Sequence, residues 1–307
     1  MKKLFVFLPA IIVVLISCNN SGEKYTLKPK MKAGESYTVE YKIDFEQDAM
    51  GTKSNMLMST GYLMKIKNVD PQQNTVMDFM YNKMAVEMKS GMYSVIYNSD
   101  STYQPDEDSS APGATIRKLY GSTMGKLINK PIQITIDSSG QVKEVKGYRE
   151  LVSAIEDSIN TSAGSSKPAM SDVMSENQIS QLFQQTFGTF PKKPVAIGEP
   201  WTSEINMTQS SMAMKYTNTY KITEISKKEN EAFIDVKGII SMGVNPDKAE
   251  VKMDANGTLT GNMIIDLNTG LVKSGKQQLE IKMEMEAGGR KIPMTMKGNV
   301  TLRGKKL

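Results

Sequence analysis

Polar and apolar residues alternate at every second position over most of this chain. Tyr37, Val39, Tyr41, Ile43 and Phe45 fall on one side of an extended backbone, and Thr38, Glu40, Lys42 and Asp44 on the other. Successive side chains of a strand point to opposite faces, so this is the pattern of a half-buried β-strand. It recurs at Met56, Met58, Thr60, Tyr62, Met64 and Ile66, then over 76–81 and on toward Met88, with a further strand at Tyr93, Val95 and Tyr97. Asp70-Pro71-Gln72-Gln73-Asn74 supplies a turn. Ile132, Ile134 and Ile136 lead through Asp137-Ser138-Ser139-Gly140 to Val142 and Val145, whose spacing predicts a bulge. In the second half, Met212, Met214, Tyr216, Asn218, Tyr220 and Ile222 form one face, and Ala232, Ile234, Val236, Gly238, Ile240 and Met242 another. Leu279, Ile281, Met283 and Met285 oppose Glu280, Lys282, Glu284 and Glu286, and Met294, Met296, Gly298 and Val300 follow the Gly288-Gly289 turn. Such alternation fits antiparallel strands with one face in the core and the other in water.

The period changes in three places. Residues 116–129 predict a helix with Leu119, Tyr120, Leu127 and Ile128 inward, weakened by Gly121 and Gly125. Leu151, Val152, Ile155 and Ile159 are spaced for one helical face, as are Ile179, Leu182, Phe183 and Phe187 before Gly188. Residues 98–115 carry Asp100, Asp106, Glu107 and Asp108 with no Lys or Arg, and read as a solvated loop without the ligand spacing of a calcium site.

A weak internal echo links the halves. Ala33-Gly34-Glu35-Ser36-Tyr37 resembles Ile197-Gly198-Glu199-Pro200-Trp201, and Ile134-Thr135-Ile136-Asp137 with Gly140 resembles Ile264-Ile265-Asp266 with Gly270. The offsets differ, which excludes a fixed-period solenoid and suggests two related units with different insertions. The expected fold is mainly β: curved antiparallel sheets, half-barrel or sandwich-like, in two related units with two or three short helices. The expected divisions are a leader at 1–17, a tether at 18–32, a first β unit at 33–160, a linker and helix at 161–189, and a second β unit at 190–307.

The leader sets the expected address. Lys2 and Lys3 precede an apolar run over 4–16 that is too short to span a bilayer, which takes about 20 residues. Leu15-Ile16-Ser17-Cys18 resembles the lipobox of bacterial lipoproteins, which implies cleavage before Cys18 and a diacylglyceryl thioether on its sulfur. Two or three acyl chains give stable anchoring where one does not. Asn19, rather than Asp, after the lipidated cysteine points by the same resemblance to the outer membrane of the cell envelope. The implied partner is the lipid bilayer. Losing Lys2 and Lys3 takes the formal charge from +5 to +3, which argues against nucleic acid.

Composition removes much chemistry. With no histidine, imidazole-dependent hydrolases and zinc sites of the usual kind are excluded. Cys18 is the sole cysteine, so no intramolecular disulfide forms. Glu284 and Glu286 share their face with Lys282 and read as a solvated surface rather than a carboxylate pair. No phosphate loop or Ser-x-x-Lys arrangement has its required context. No catalytic residue, cofactor or metal is assigned.

Methionine changes the picture, with 24 in 307 residues. Pairs two apart, Met56/Met58, Met212/Met214, Met283/Met285 and Met294/Met296, each share one strand face. Three roles compete: filling of an irregular core, an adaptable cavity for a greasy ligand, and Cu(I) binding by soft thioethers. The cavity reading adds the aromatics of the same faces, Tyr37, Tyr41, Phe45, Tyr62, Tyr216 and Tyr220, as large apolar bodies with a polar tip. The expected function is a non-catalytic binding or structural role with a hydrophobic ligand or envelope protein as partner. A cavity-free scaffold for protein interaction is the alternative.

The run Leu119-Tyr120-Gly121, Ile132 to Asp137, Gly140-Gln141-Val142, Val145-Lys146-Gly147 and Leu151, followed by Phe190-Pro191, Pro194-Val195 and Gly198-Glu199-Pro200-Trp201, resembles a family of uncharacterised lipoproteins from Bacteroidota. The likeness extends over most of 33–302. It implies an exported lipoprotein with a mostly β body; Gly140, Gly147 and Gly198 match its turns and Trp201 its aromatic, and it brings no catalytic residues. A looser likeness is to envelope lipoproteins whose curved sheet wraps an apolar cavity.

Overall fold

The computed structural model describes residues 22–91, 93–101, 121, 124–160, 176–187, 189–209, 212–244, 252–287 and 289–307. The predicted leader, Cys18, the acidic stretch beyond residue 101, Leu119, Tyr120 and most of the predicted linker lie outside them. The described strands are β1 (Lys24–Tyr25), β2 (Ser36–Ala49), β3 (Thr52–Val69), β4 (Thr75–Ser90), β5 (Tyr93–Asn98), β6 (Ile132–Ile136), β7 (Val142–Lys146), β8 (Val195–Ala196), β9 (Pro200–Gln209), β10 (Met212–Ser226), β11 (Glu231–Val244), β12 (Lys252–Asp266), β13 (Val272–Ala287) and β14 (Arg290–Lys306). Helices α1 (Tyr148–Asn160) and α2 (Glu176–Phe187) lie between β7 and β8. Of the helix predicted over 116–129, the described part is helical at 121 and 124–127; Ile128 leaves it to bridge Tyr81 of β4.

Alternation builds one antiparallel sheet in the order β7-β6-β4-β3-β2-β14-β13-β12-β11-β10-β9, with β5 paired to β4 as a side branch. The two predicted units therefore share a single sheet, and β14 joins them. It runs back along β13 and pairs on its other side with β2, from Met294 opposite Ala49 to Lys306 opposite Tyr37.

The internal echo is structural. Gly34 N–H donates to Ile66 O and Gly198 N–H to Ile222 O, each with positive φ (84° and 83°). Glu35 and Glu199 each accept from the backbone three residues earlier, at Lys32 and Ala196. Each partner strand then slips register in the same place, after Ile66 and after Ile222. The fourth and fifth strands repeat as well. Asp137 O accepts from Gly140 N–H and Asp266 O from Gly270 N–H; the bulge predicted in the first hairpin is present beside Ile136/Val142, and the second carries its counterpart beside Ile265/Val272. Thus β2-β3-β4-β6-β7 and β9-β10-β11-β12-β13 are two copies of one five-strand meander, the first having taken β5 and the residues up to 131 as an insertion.

The sheet remains open, and α2 lies against both of its edge strands, β7 and β9. Phe183 and Phe187 of α2 enter the core of the first copy, where Phe183 meets Phe79 edge-to-face at 5.2 Å. Just beyond the helix, Trp201 Nε1 donates to Thr189 O at 2.8 Å while its indole stacks on Tyr220. Gly140, with φ at 86°, sits so close to Phe187 that an added Cβ would collide with the Cβ of that phenylalanine. A Gly140→Ala chain should be destabilised by about 2–4 kcal/mol from strain and overpacking, and melt about 5–10 °C lower in a calorimetric scan.

Glu35 ties three segments at the strand entry. Burial disfavours its charge, but hydrogen bonds from the Lys306 ammonium, the Tyr37 hydroxyl and Lys32 N–H outweigh that and hold its pKa at about 2, below the ordinary 4.5. Between those values the unfolded chain takes up a proton that the folded chain refuses, so stability falls as pH drops from about 5 toward 2. Glu35→Gln should lower the melting temperature at pH 7 and flatten this acid limb; an unchanged limb in pH-dependent melting would show that Glu35 is not its source.

Candidate functional site: the methionine-rich end of the sheet

Because the strands are antiparallel, their turns fall at two ends. One end holds 70–74, 137–141, 227–230, 267–271 and the entry at Gly34. Here the apolar face is dominated by aliphatic and aromatic residues: Ile66, Ile134, Ile136, Ile222, Ile234 and Ile265 are all at most 3% exposed, and Met64, Met77 and Met263 are enclosed among them. The N-terminal segment covers this end with Leu27 and Met31, and α1 and α2 cover it with Tyr148, Val152, Ile155, Ile179, Phe183 and Phe187.

Tyr37 and Tyr62 are buried in this packing. Tyr62 touches Tyr41, Phe79 and Tyr81 at centroid separations of 5.2–5.8 Å, and Tyr41 shares a hydrogen bond with Thr186 of α2 at 3.3 Å. Burial pushes the hydroxyl of Tyr81 up to about 12 and raises those of Tyr41 and Tyr62. The space left between these rings and α2 is about 20 Å³, room for one water and far too little for an acyl chain. Tyr220 is likewise buried, under Trp201, with its hydroxyl raised by burial to about 12.

The other end is different in composition and in cover. Directly paired positions lie on one face about 5 Å apart. One such row runs Met207–Met214–Met242–Ala255–Met283–Met294–Ala49 across seven strands. Beside it, Met253 faces Met285, which faces Ile292. One row further in, Tyr216, Ile240, Ile281 and Met296 follow the same face. Met56 stands beside Phe45, and Met58 beside Ile43. All the methionines of this band with described side chains are half-buried rather than enclosed. Met212 belongs to the band by its pairing with Val244.

The predicted residues thus divide. Met214, Met283, Met285, Met294 and Met296 come together with Tyr216 at the open end, flanked by Met56, Met58 and Phe45. Tyr37, Tyr41, Tyr62 and Tyr220 belong to the packed end or its border. Met207, Met242 and Met253 complete the band without having been singled out, because alternation within a strand does not give register between strands. Two sulfurs accept polar contacts, Met214 from the Tyr216 hydroxyl at 3.6 Å and Met294 from Gln47 Nε2 at 3.8 Å. Asn218 intrudes between band and core: its amide donates to the Tyr220 hydroxyl at 3.2 Å and lies over Gly238, leaving Oδ1 buried with no partner. Among the described residues, no group of three or more Cys, Asp or Glu side chains gathers to hold a metal, and no helix is long and apolar enough to cross a membrane.

Comparison with proteins of curated function finds no match. Among solved structures, a chain of lipovitellin, described for its lipid–protein interactions, is similar at a TM-score of 0.47 and 10% identity, covering 90% of this chain and 25% of that one. This chain therefore spans a quarter of the length of the lipovitellin chain. An outer membrane channel from Pseudomonas putida F1 follows at a TM-score of 0.24 and 5% identity over 90% of this chain and 97% of that one. Pseudomonas aeruginosa OpdO gives 0.21 and 6% over 89% and 97%. A family model fits residues 72–272, from the turn before β4 to the start of β13, and by that fit the chain belongs to a family of unknown function, DUF6263.

Proposed function

We propose that this chain is a lipid-anchored envelope protein, held at the outer membrane through acylated Cys18, that binds an apolar ligand at the methionine-rich end of its sheet without catalysis. The observation that carries the binding reading is the half-buried methionine band, five methionines in register within a row that crosses seven strands, on a face that is tightly covered at its other end. Thioethers on unbranched stems change rotamer cheaply, so such a surface adapts to chains of differing shape. The ligand class is an acyl chain or an equally flexible hydrophobic segment. The anchoring reading is supported by the sequence Leu15-Ile16-Ser17-Cys18 behind a short apolar run, and the outer-membrane address by Asn19. The tightly filled space under α2 favours a second reading, a scaffold that engages an envelope protein and takes up no ligand.

Two measurements test this. Cells fed a palmitate analogue should label the chain, and Cys18→Ser should abolish the label and release the protein from the membrane fraction; an unlabelled wild-type chain would end the anchoring reading. The mature chain with Cys18 replaced should take up a fluorescent fatty acid saturably at micromolar concentration. Met283→Gln with Met294→Gln should weaken that uptake about tenfold, the loss of roughly 1.4 kcal/mol of apolar contact, while Tyr62→Phe in the packed end leaves it unchanged. Absence of saturable uptake would favour the scaffold.

A further inference from the structure

The tether enters the fold at the covered end, beside an open recess of about 550 Å³ lined by Lys24, Lys30, Lys227, Asn230, Asn268 and the carboxylate of Glu23, among others. Glu23 is already engaged, accepting from Tyr25 at 2.9 Å and pairing with Lys227 at 3.2 Å. Lys24 stands 4.0 Å from Glu199, an exposed and loose pair, and Lys30 reaches the Leu267 carbonyl at 2.9 Å. With Glu199 beside Lys24 counted, three ammonium groups face two carboxylates, which leaves the recess with one net positive charge, and amide groups from two turns add hydrogen-bond donors.

Position gives this charge a partner. Gly22 is the first described residue and adjoins Glu23 of the lining. Cys18 lies four residues upstream, and four residues of extended chain reach about 14 Å at most. A bilayer holding an acylated Cys18 is therefore close to this recess, comparable to the Debye length of about 8–10 Å at physiological salt.

We propose that the recess at the root of the tether docks on anionic phospholipid headgroups, with Lys24, Lys30 and Lys227 facing the phosphates. The inference rests on the anchoring reading for its geometry, but it is testable without the anchor. Docking sets the strands upright on the membrane. The methionine band then faces away from it, because the recess and the band lie at opposite ends of the sheet.

The test uses the mature chain, residues 18–307 with Cys18→Ser, which retains every described element. It is sedimented with vesicles of phosphatidylcholine alone and with vesicles in which a third of the lipid is phosphatidylglycerol. Binding is expected on the anionic vesicles only and should be lost in high salt. Lys24→Gln with Lys227→Gln should reduce it about 30-fold, the effect of two lysines near an anionic surface. Lys282→Gln with Lys291→Gln, an equal charge change on strands β13 and β14, should leave it intact, and circular dichroism should show all forms folded. Equal binding to neutral vesicles, an equal loss from the second pair, or binding of inorganic phosphate without vesicle binding would overturn the proposal. Because no acyl chain is present, such a failure leaves the anchoring reading to the palmitate experiment.

Discussion

A sheet of this width presents one continuous apolar face and two unpaired edges, and the rest of the molecule disposes of them. The face is continuous because, between the bulges near Gly61, Ile66, Ile222 and Ile264, the long strands keep their alternation in register with their neighbours, so that Tyr220, Val236, Val300, Ile43 and Met58 all point the same way. Such a face is stable in water only where something covers it. The edges offer free backbone groups that would template pairing with other chains. Helix α2 answers both needs at once: it buries Phe183 and Phe187 in the apolar face while lying between β7 and β9, the two edges.

Cover is unequal along the strands, and residue type follows it. At the covered end, mostly branched and aromatic side chains enclose Met64, Met77 and Met263, and the space left under α2 holds about one water. At the far end, where among the described residues the same strands run beyond the helices, methionine predominates and is half-buried instead of enclosed. An isoleucine left half-exposed gains little from its shape, whereas a thioether chain can fold back onto its neighbours when alone and spread when covered. The same backbone thus carries a rigid region and an adaptable one. Local opening should concentrate at the methionine end, where buried apolar contact is least.

Much of this was legible in the sequence. The strands, the turn at 70–74, the bulged hairpin at 137–142 and the helical spacing of Ile179, Phe183 and Phe187 follow from period and turn chemistry. The echo of Gly34-Glu35 in Gly198-Glu199 was visible as two shared letters, but its meaning depended on hydrogen bonds to Ile66 and Ile222, strands away. Pairing beyond the hairpins was not legible. Nothing local marks β14 as the partner of β2, more than 240 positions earlier, and only that pairing makes one sheet of two meanders. The candidate site suffered from the same gap. Alternation placed Met214, Met283 and Met294 on apolar faces, but a strand read alone has no end that is open or closed, so buried tyrosines and half-exposed methionines looked equivalent.

The joining strand also explains why Glu35 matters beyond its own turn. Its carboxylate holds Lys306, on the last strand, and Tyr37, on the first long one, at the point where the β14–β2 ladder ends. Two meanders that folded separately would each expose one apolar edge face at β2 and β13. Inserting β14 between them removes both edges, and the insertion requires contacts of very high sequence separation, which form late and slowly. A charged clamp at the end of that ladder stabilises the final register without adding apolar surface to the unfolded chain. The Glu199 copy of the motif keeps its backbone bond to Ala196 N–H but only a loose, exposed lysine, Lys24 at 4.0 Å. That difference is expected, since β9 is an edge strand with no incoming partner to lock.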